Sequence, residues 1–193
     1  MTHSSRREGE SMYCGSNKTA LQSQRQIAGA MMALIREKPY AEITISELCK
    51  TAGISRQTFY SLFTSRENVI TFTLQTNYCD SPDITLPRED GGKMSGLQRL
   101  CRGYSEYLLR NRDLIRLLVE NRLEYLLVDS FFEAMDRCEC FLPGIDPCLR
   151  AYAGSFYAGG IAFLARRYAL QGCTGTAEEL EKLLMTLLSG KLF

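Results

Sequence analysis

The chain contains no tryptophan and a single histidine, His3. No run of about 18 apolar residues occurs, so no membrane-spanning helix, and no membrane partner, is expected. Net charge is only +1. A global basic excess is therefore missing, and any nucleic-acid role must rest on a local patch. The opening stretch MTHSSRREGESMYCGSN lacks the apolar centre of a secretory signal, so the expected location is the cytoplasm. Catalytic chemistry is poorly provided for. There is no glycine-rich phosphate loop, no G-x-S-x-G elbow, and no histidine outside the tail to activate a nucleophile. Neither an enzyme nor a cofactor is expected. Eight cysteines are present (Cys14, Cys49, Cys79, Cys101, Cys138, Cys140, Cys148 and Cys173), but no C-x-x-C pair. The spacing of a structural zinc site is thus absent, and no metal is expected. In a reducing compartment these read as free thiols, several buried as small hydrophobes. A sharper reading makes Cys138, Cys140 or Cys148, which flank a Pro/Gly loop, a redox sensor.

Only 5 prolines and 15 glycines interrupt 193 residues, and they cluster. With 45% apolar and 23% charged residues the composition is that of an ordinary globular chain. The pattern between breakers is helical, so the expected fold is all-α. Residues 1–18 read as a flexible tail. Its Arg6 and Arg7 have the chemistry to reach a DNA minor groove, although a solvated tail is the simpler reading. From Thr19 to Lys38, Leu21, Ile27, Ala28, Met31, Leu34 and Ile35 form one apolar stripe, ended by Pro39. Thr44 with Glu47 suggests a capping box for a second helix, which Gly53 stops. Ser55 caps a third helix, Arg56 to Phe63. Thr64 with Glu67 suggests a box for a fourth. The stretch CDSPDITLPREDGGKMSG, Cys79 to Gly96, is a loop by composition. Helices are then expected over Leu97–Leu109, Asn111–Leu118, Arg122–Cys140 and Cys148–Gly172, with a last one capped by Thr176 and Glu179. The implied division is 19–78 for a head and 79–193 for a larger helical domain.

Two helices joined by a short glycine-containing turn are the sequence form of a helix-turn-helix. Ile45, Leu48, Ala52, Ile54, Phe59 and Phe63 supply its buried side. The wet face of the second helix holds Ser55, Arg56, Gln57, Thr58, Tyr60 and Ser61. Arginine forks onto guanine and glutamine onto adenine, whereas threonine offers a methyl to thymine or a hydroxyl to phosphate. Ser55, Thr58 and Tyr60 suit phosphate oxygens. Arg66 sits in the first turn of the next helix, where a cation opposes the helix dipole, so a phosphate partner is the expected reason for it. A solvated helix face is the plain alternative for this surface.

The segments ITISELCKTAGISRQTFY (Ile43 to Tyr60) and FTSREN (Phe63 to Asn68) resemble the TetR family of one-component bacterial transcription regulators. The likeness runs from about Ser23 to Val69 and departs from the family phrase at Arg66, where lysine is commoner. It implies a three-helix DNA-binding head followed by a larger helical domain that binds a small molecule and forms a homodimer through its last long helices. It implies that Thr44, Ser55, Arg56, Gln57, Thr58, Tyr60, Ser61 and Arg66 meet double-stranded DNA at a near-palindromic operator, usually in repression.

In the second half, mid-helix glycines and alanines from Gly154 to Ala165 suggest close approach of another helix, since each such glycine costs about 1 kcal/mol against alanine. Tyr152, Phe156, Gly159, Gly160 and Phe163 are dimer-interface candidates, with packing inside one subunit as the alternative. Tyr104, Tyr107, Tyr125, Phe131, Phe132 and Tyr157 are candidates to line an effector pocket, with ordinary core packing as the alternative, and Arg122 and Glu124 are candidates for its polar specificity, with a surface position as the equal alternative. Two other classes stay open: a helical interaction module that never touches DNA, and a thiol-based regulator without a small-molecule ligand.

Overall fold

A computed structural model describes residues 12–13, 15–79, 96–137, 142 and 144–189. Among the described residues there are nine α-helices, one short 3-10 turn and no strand. None of these helices is long and apolar enough to cross a membrane. Of the expected loop from Cys79 to Gly96, the two end residues belong to helices and 80–95 lie outside the described residues, as does most of the expected tail. The chain divides into two compact units, 1–73 and 74–193, with the boundary inside the fourth helix.

The first unit holds α1 (Lys18–Glu37), a 3-10 turn (Tyr40–Glu42), α2 (Ile45–Ala52), α3 (Arg56–Leu62) and the start of α4 (Arg66–Cys79). Asn17 caps α1 by accepting the Thr19 N–H at 3.0 Å. The apolar stripe of α1 is buried as its spacing requires, and α1 packs on α2 and α3. Lys38 turns extended ahead of Pro39, which ends the helix. Gly53 then closes α2 in the left-handed region, φ 67°, and its N–H meets the Cys49 and Lys50 carbonyls. Phe59, Leu62 and Phe63 are buried beneath α3; the Phe59 and Phe63 rings meet tilted at 5.9 Å, and Phe63 and Phe72 meet edge-on at 5.7 Å. Aromatic pairs at such distances add about 0.5–1.5 kcal/mol beyond the area they bury.

Two expected caps differ in detail. Thr44 does accept the Glu47 N–H at 3.2 Å, but the Glu47 carboxylate reaches Lys38 at 2.5 Å, so the return half of the box is not made. The Lys38 ammonium hydrogen bond, ahead of all other influences, holds Glu47 below its ordinary pKa. At α4 the reciprocal cap is Ser65 with Asn68. The Ser65 hydroxyl accepts the Asn68 backbone N–H, and the Asn68 side-chain oxygen Oδ1 accepts the Ser65 N–H. Thr64 donates to Asn68 instead, and Glu67 is free for another task.

The second unit holds the rest of α4, then α5 (Gly96–Arg110), α6 (Arg112–Glu120), α7 (Tyr125–Arg137), α8 (Pro147–Leu170) and α9 (Ala177–Leu188). Helix α8 packs on α6 and α7, and α9 packs on α5. Asp146 caps α8 ahead of Pro147, which suits a first helical position because its missing N–H would be unpaired there. Thr176 and Glu179 form the expected box in full.

The helix expected from Arg122 starts instead at Tyr125, because Arg122 is spent in closing α6. It sits at φ 58°, and the Leu123 N–H reaches back to the Leu118 carbonyl at 2.8 Å. A side chain with a Cβ pays for that conformation, where glycine does not. Arg122→Gly is therefore expected to raise the stability of the chain by about 1 kcal/mol, read as a higher midpoint in chemical denaturation.

Candidate nucleic-acid interface

Helix α3 is a seven-residue rod with two faces. Its inner face, Phe59 and Leu62, is sealed against the first unit's core. Its outer face carries Arg56, Gln57, Tyr60 and Ser61, all exposed, with Tyr60 at 55%. Ser55 fixes the start: its hydroxyl accepts the Thr58 N–H at 3.0 Å and lies 2.8 Å from the Thr58 hydroxyl. Ser61 donates to the Thr58 carbonyl at 2.8 Å. Thr44, exposed at the start of α2, keeps its hydroxyl proton for another acceptor while its oxygen accepts the Glu47 N–H. The structure thus gathers seven of the eight expected DNA-contacting residues at the outer side and ends of the helix-turn-helix. Seven basic and four acidic residues lie between Met12 and Thr73. That supplies the local positive excess that the whole chain lacks.

Arg66 is the eighth, and it has an internal role that the sequence does not announce. Its guanidinium donates to the Tyr40 carbonyl at 3.1 Å and to the Ile43 carbonyl, and lies 4.6 Å from the centre of the Tyr40 ring. The Tyr40 hydroxyl donates in turn to Glu67 at 2.6 Å. Burial acts to raise the Glu67 pKa. The Tyr40 hydroxyl, its own N–H, the Ser65 hydroxyl and the Arg66 charge outweigh that and hold it below its ordinary value. This latch ties the first turn of α4 to the connection between α1 and α2. It accounts for a cation where the helix dipole disfavours one. Tyr40, 6% exposed, has no periodic neighbours to signal it in sequence. Gln24 was equally missed, though its spacing from Ile27, Ala28 and Met31 places it on the buried stripe.

In the second unit, the pocket candidates separate. Tyr104 and Tyr107 are buried and set their rings edge-on to Phe131 at 5.5 Å each. Tyr125 is 51% exposed at the first position of α7, and Arg122 is exposed. Tyr157 is half-buried beside Phe156 at 5.6 Å. Glu124 pairs with Arg166 at 3.1 Å. A groove of about 210 Å³ lies elsewhere, lined by Leu108, Leu164, Arg167, Tyr168, Leu180 and Leu184 among others. None of the six candidates lines it.

The small residues of α8 also separate. Gly154, Ala158, Ala162 and Ala165 are buried within the unit. A Cβ at Gly159 or Gly160 would meet nothing within 4 Å. Beside them, Leu149, Tyr152, Phe156, Phe163 and Leu170 project outward, three of them more than two-thirds exposed. Their spacing of three, four and seven residues makes one continuous stripe.

Of the cysteines, Cys49 and Cys101 are buried, Cys173 is half-buried and Cys148 is exposed. Burial, with a smaller push from Glu181, raises the Cys101 thiol to about 11, far from the thiolate that redox sensing needs. Cys138 and Cys140 lie outside the described residues. Among the described residues, no group of three or more metal-ligating side chains is close enough to hold an ion.

Residues 27–71 match the family described as bacterial regulatory proteins, tetR family. The chain is 29% identical over 119 residues to the HTH-type dhaKLM operon transcriptional activator DhaS of Lactococcus lactis, covering 60% of this chain and 55% of that protein. It is 42% identical over 53 residues to the HTH-type transcriptional regulator EthR of Mycobacterium tuberculosis, covering 28% and 24%. The match thus spans about half the length of the first relative and a quarter of the second. The solved structure of Lin0861 from Listeria innocua superposes with a TM-score of 0.69 at 16% identity, over 91% of this chain and 94% of that one, and so shares the fold. The first unit thus carries a match to bacterial regulatory proteins of the tetR family over residues 27–71, and the chain as a whole shares the fold of Lin0861.

Proposed function

We propose that the chain is a transcription regulator that binds a near-palindromic operator as a homodimer, controlled by a small-molecule effector in its second unit. The observation that carries this is α3: a rigid, capped helix whose polar groups with base-reading chemistry are exposed, while its apolar groups are consumed by the core. Arg56 and Gln57 read bases from the start of the helix, the part that enters the major groove in this motif. Thr44, Ser55, Thr58, Tyr60 and Ser61 hold phosphates and set the register. The exposed aromatic stripe of α8, with the open glycines beside it, supports a second copy as its cover. The groove lined by Leu108, Leu164, Arg167 and Tyr168, about 210 Å³, is the start of a cavity in which a small effector would sit after widening. Repression is the proposed outcome, because occupancy of DNA by itself excludes other proteins.

Selection of duplexes from a random-sequence library by the full chain tests the reading. A two-fold symmetric consensus is expected, with half-sites about one helical turn or a multiple apart. Arg56→Ala should weaken binding to that consensus about 5- to 150-fold and relax the preference at one base per half-site, with binding to mixed-sequence DNA nearly unchanged. Equal affinity of the unmodified chain for consensus and mixed DNA would refute the regulator and leave a helical interaction module.

A further inference from the structure

Gln24 presents a problem that the DNA-reading head does not solve. It is 0% exposed on the apolar stripe of α1, and its side-chain carbonyl oxygen has no hydrogen-bond partner among the described residues. A buried amide left half-satisfied is destabilising, and a leucine of similar shape would avoid the cost. The bond this amide does make is long-range: its Nε2–H donates to the Tyr13 carbonyl at 3.0 Å. Turning the amide over would set its oxygen against that carbonyl, acceptor to acceptor, so the contact fixes which way it points. The Tyr13 N–H donates in turn to the Leu62 carbonyl at 3.0 Å. Tyr13 is thus held by both of its backbone polar groups, one to α1 and one to the last residue of α3. Its hydroxyl also accepts the N–H of Asn17, the cap of α1, at 3.4 Å.

Helix α3 has a use for that contact. Its 7 residues are too few to hold a helix together in water on their own. Ser55 secures the first turn, and the last carbonyls of any helix lack partners inside it. Here the Phe59 carbonyl receives the Phe63 N–H at 2.8 Å, and the Leu62 carbonyl receives the Tyr13 N–H. Leu62 is buried, whereas Tyr60 and Ser61 in the same turn are exposed on the outer face. Fraying from this end would displace Tyr60 and Ser61 before it reached Arg56 and Gln57. We propose that Gln24 and Tyr13 are positioning residues for DNA recognition: the hydrogen-bonded chain Gln24–Tyr13–Leu62 holds the last turn of α3 wound, and so sets Tyr60 and Ser61 where they meet phosphate oxygens. Neither Gln24 nor Tyr13 touches DNA in this role. The inference rests on the DNA-reading head proposed above. A glutamine stands in the core because it orders the end of α3, not because it stabilises the unit.

The test uses the full chain and the duplex it selects. Gln24→Leu is expected to leave thermal stability equal to wild type or higher. It should nevertheless weaken DNA binding roughly 2- to 12-fold per head, the worth of one hydrogen bond, and speed hydrogen exchange of the Ser61 to Phe63 amides in the free protein by a similar factor. In a chain already carrying Tyr60→Ala and Ser61→Ala it should cost no further affinity, because the steadied turn no longer presents those groups. Tyr13→Pro lacks the N–H that reaches Leu62 and should match Gln24→Leu in affinity and exchange. Tyr13→Ala keeps both backbone groups and should stay near wild type. Unchanged affinity or unchanged exchange in Gln24→Leu would overturn the inference. So would a loss that persists in full without the Tyr60 and Ser61 side chains, which would make Gln24 a general support of the fold. An equal loss in Tyr13→Ala and Tyr13→Pro would assign the effect to the ring and overturn the backbone clip. A wild-type chain that selects no sequence would remove the DNA-reading head, and DNA positioning with it. That failure is distinct from failure of the clip, which exchange in the free protein reads alone.

Discussion

Arg66→Ala should destabilise the first unit by roughly 2–4 kcal/mol. Two hydrogen bonds to buried carbonyls are lost, each worth about 0.5–1.5 kcal/mol for a donor that stays partly exposed. The contact with the Tyr40 ring adds about 0.5–1 kcal/mol. Removing the guanidinium also leaves the Tyr40 and Ile43 carbonyls without that donor. Arg66→Lys keeps the charge but not the planar fork that serves two carbonyls at once, so its loss should fall between. Chemical denaturation followed by circular dichroism reads the difference. A phosphate contact at the same residue makes a different forecast: stability close to wild type, weaker binding to every DNA sequence, and a salt slope lower by about one. A stability change below about 0.5 kcal/mol with that lowered slope would return Arg66 to the phosphate role and refute the latch.

Phe156→Glu combined with Phe163→Glu should carry the largest effect on assembly. The two rings are 74% and 68% exposed and stand on one stripe of α8. Covering an exposed phenylalanine contributes about 1.5–3 kcal/mol, and a two-fold interface presents each residue twice. Losing one ring from both copies thus costs about 3–6 kcal/mol, a dimer weakened by roughly 10²- to 10⁴-fold, and the double variant loses two rings from each copy, about 6–12 kcal/mol. Sedimentation at micromolar concentration should show a dimer for the wild type and a monomer for the variant, with helix content and thermal stability of the monomer retained. Operator affinity should fall with it, since one head alone reads one half-site. A wild-type monomer at that concentration, or a variant still dimeric, would remove the α8 stripe as the interface.

These two results depend on residues whose legibility in sequence differed sharply. The stripe of α8 could be read because helical periodicity is a local property. Tyr152, Phe156 and Phe163 declare themselves by spacing alone. What spacing does not give is the sorting of the small residues between them. Gly154 and Ala158 face the unit's own core, whereas Gly159 and Gly160 face open space, and only the packing against α6 and α7 decides which is which. The head was legible to nearly the residue, since caps, turn glycine and the polar face of α3 are all encoded within a few positions of one another. Its latch was not. Tyr40 and Glu67 lie 27 residues apart, and Gln24 and Tyr13 lie 11 apart. Contacts of that kind follow from tertiary closure, which no local pattern announces. The Glu67 misreading shows the cost: a residue with the correct spacing for a cap was drawn away by a partner across the unit. In the second unit, aromatic residues at helical spacing could not be divided into packing and lining roles. Tyr104, Tyr107 and Phe131 turn out to occupy one another.

The sealed thiols give the protein a pair of internal clocks. Cys49 sits at 3% exposure in the first unit and Cys101 at 0% in the second. A thiol reagent reaches either one only during an opening of the unit that encloses it, so each labelling rate reports the opening free energy of that unit alone. Cys148, always exposed, sets the unhindered rate in the same sample. The two units of one chain can therefore be timed separately, without adding a probe.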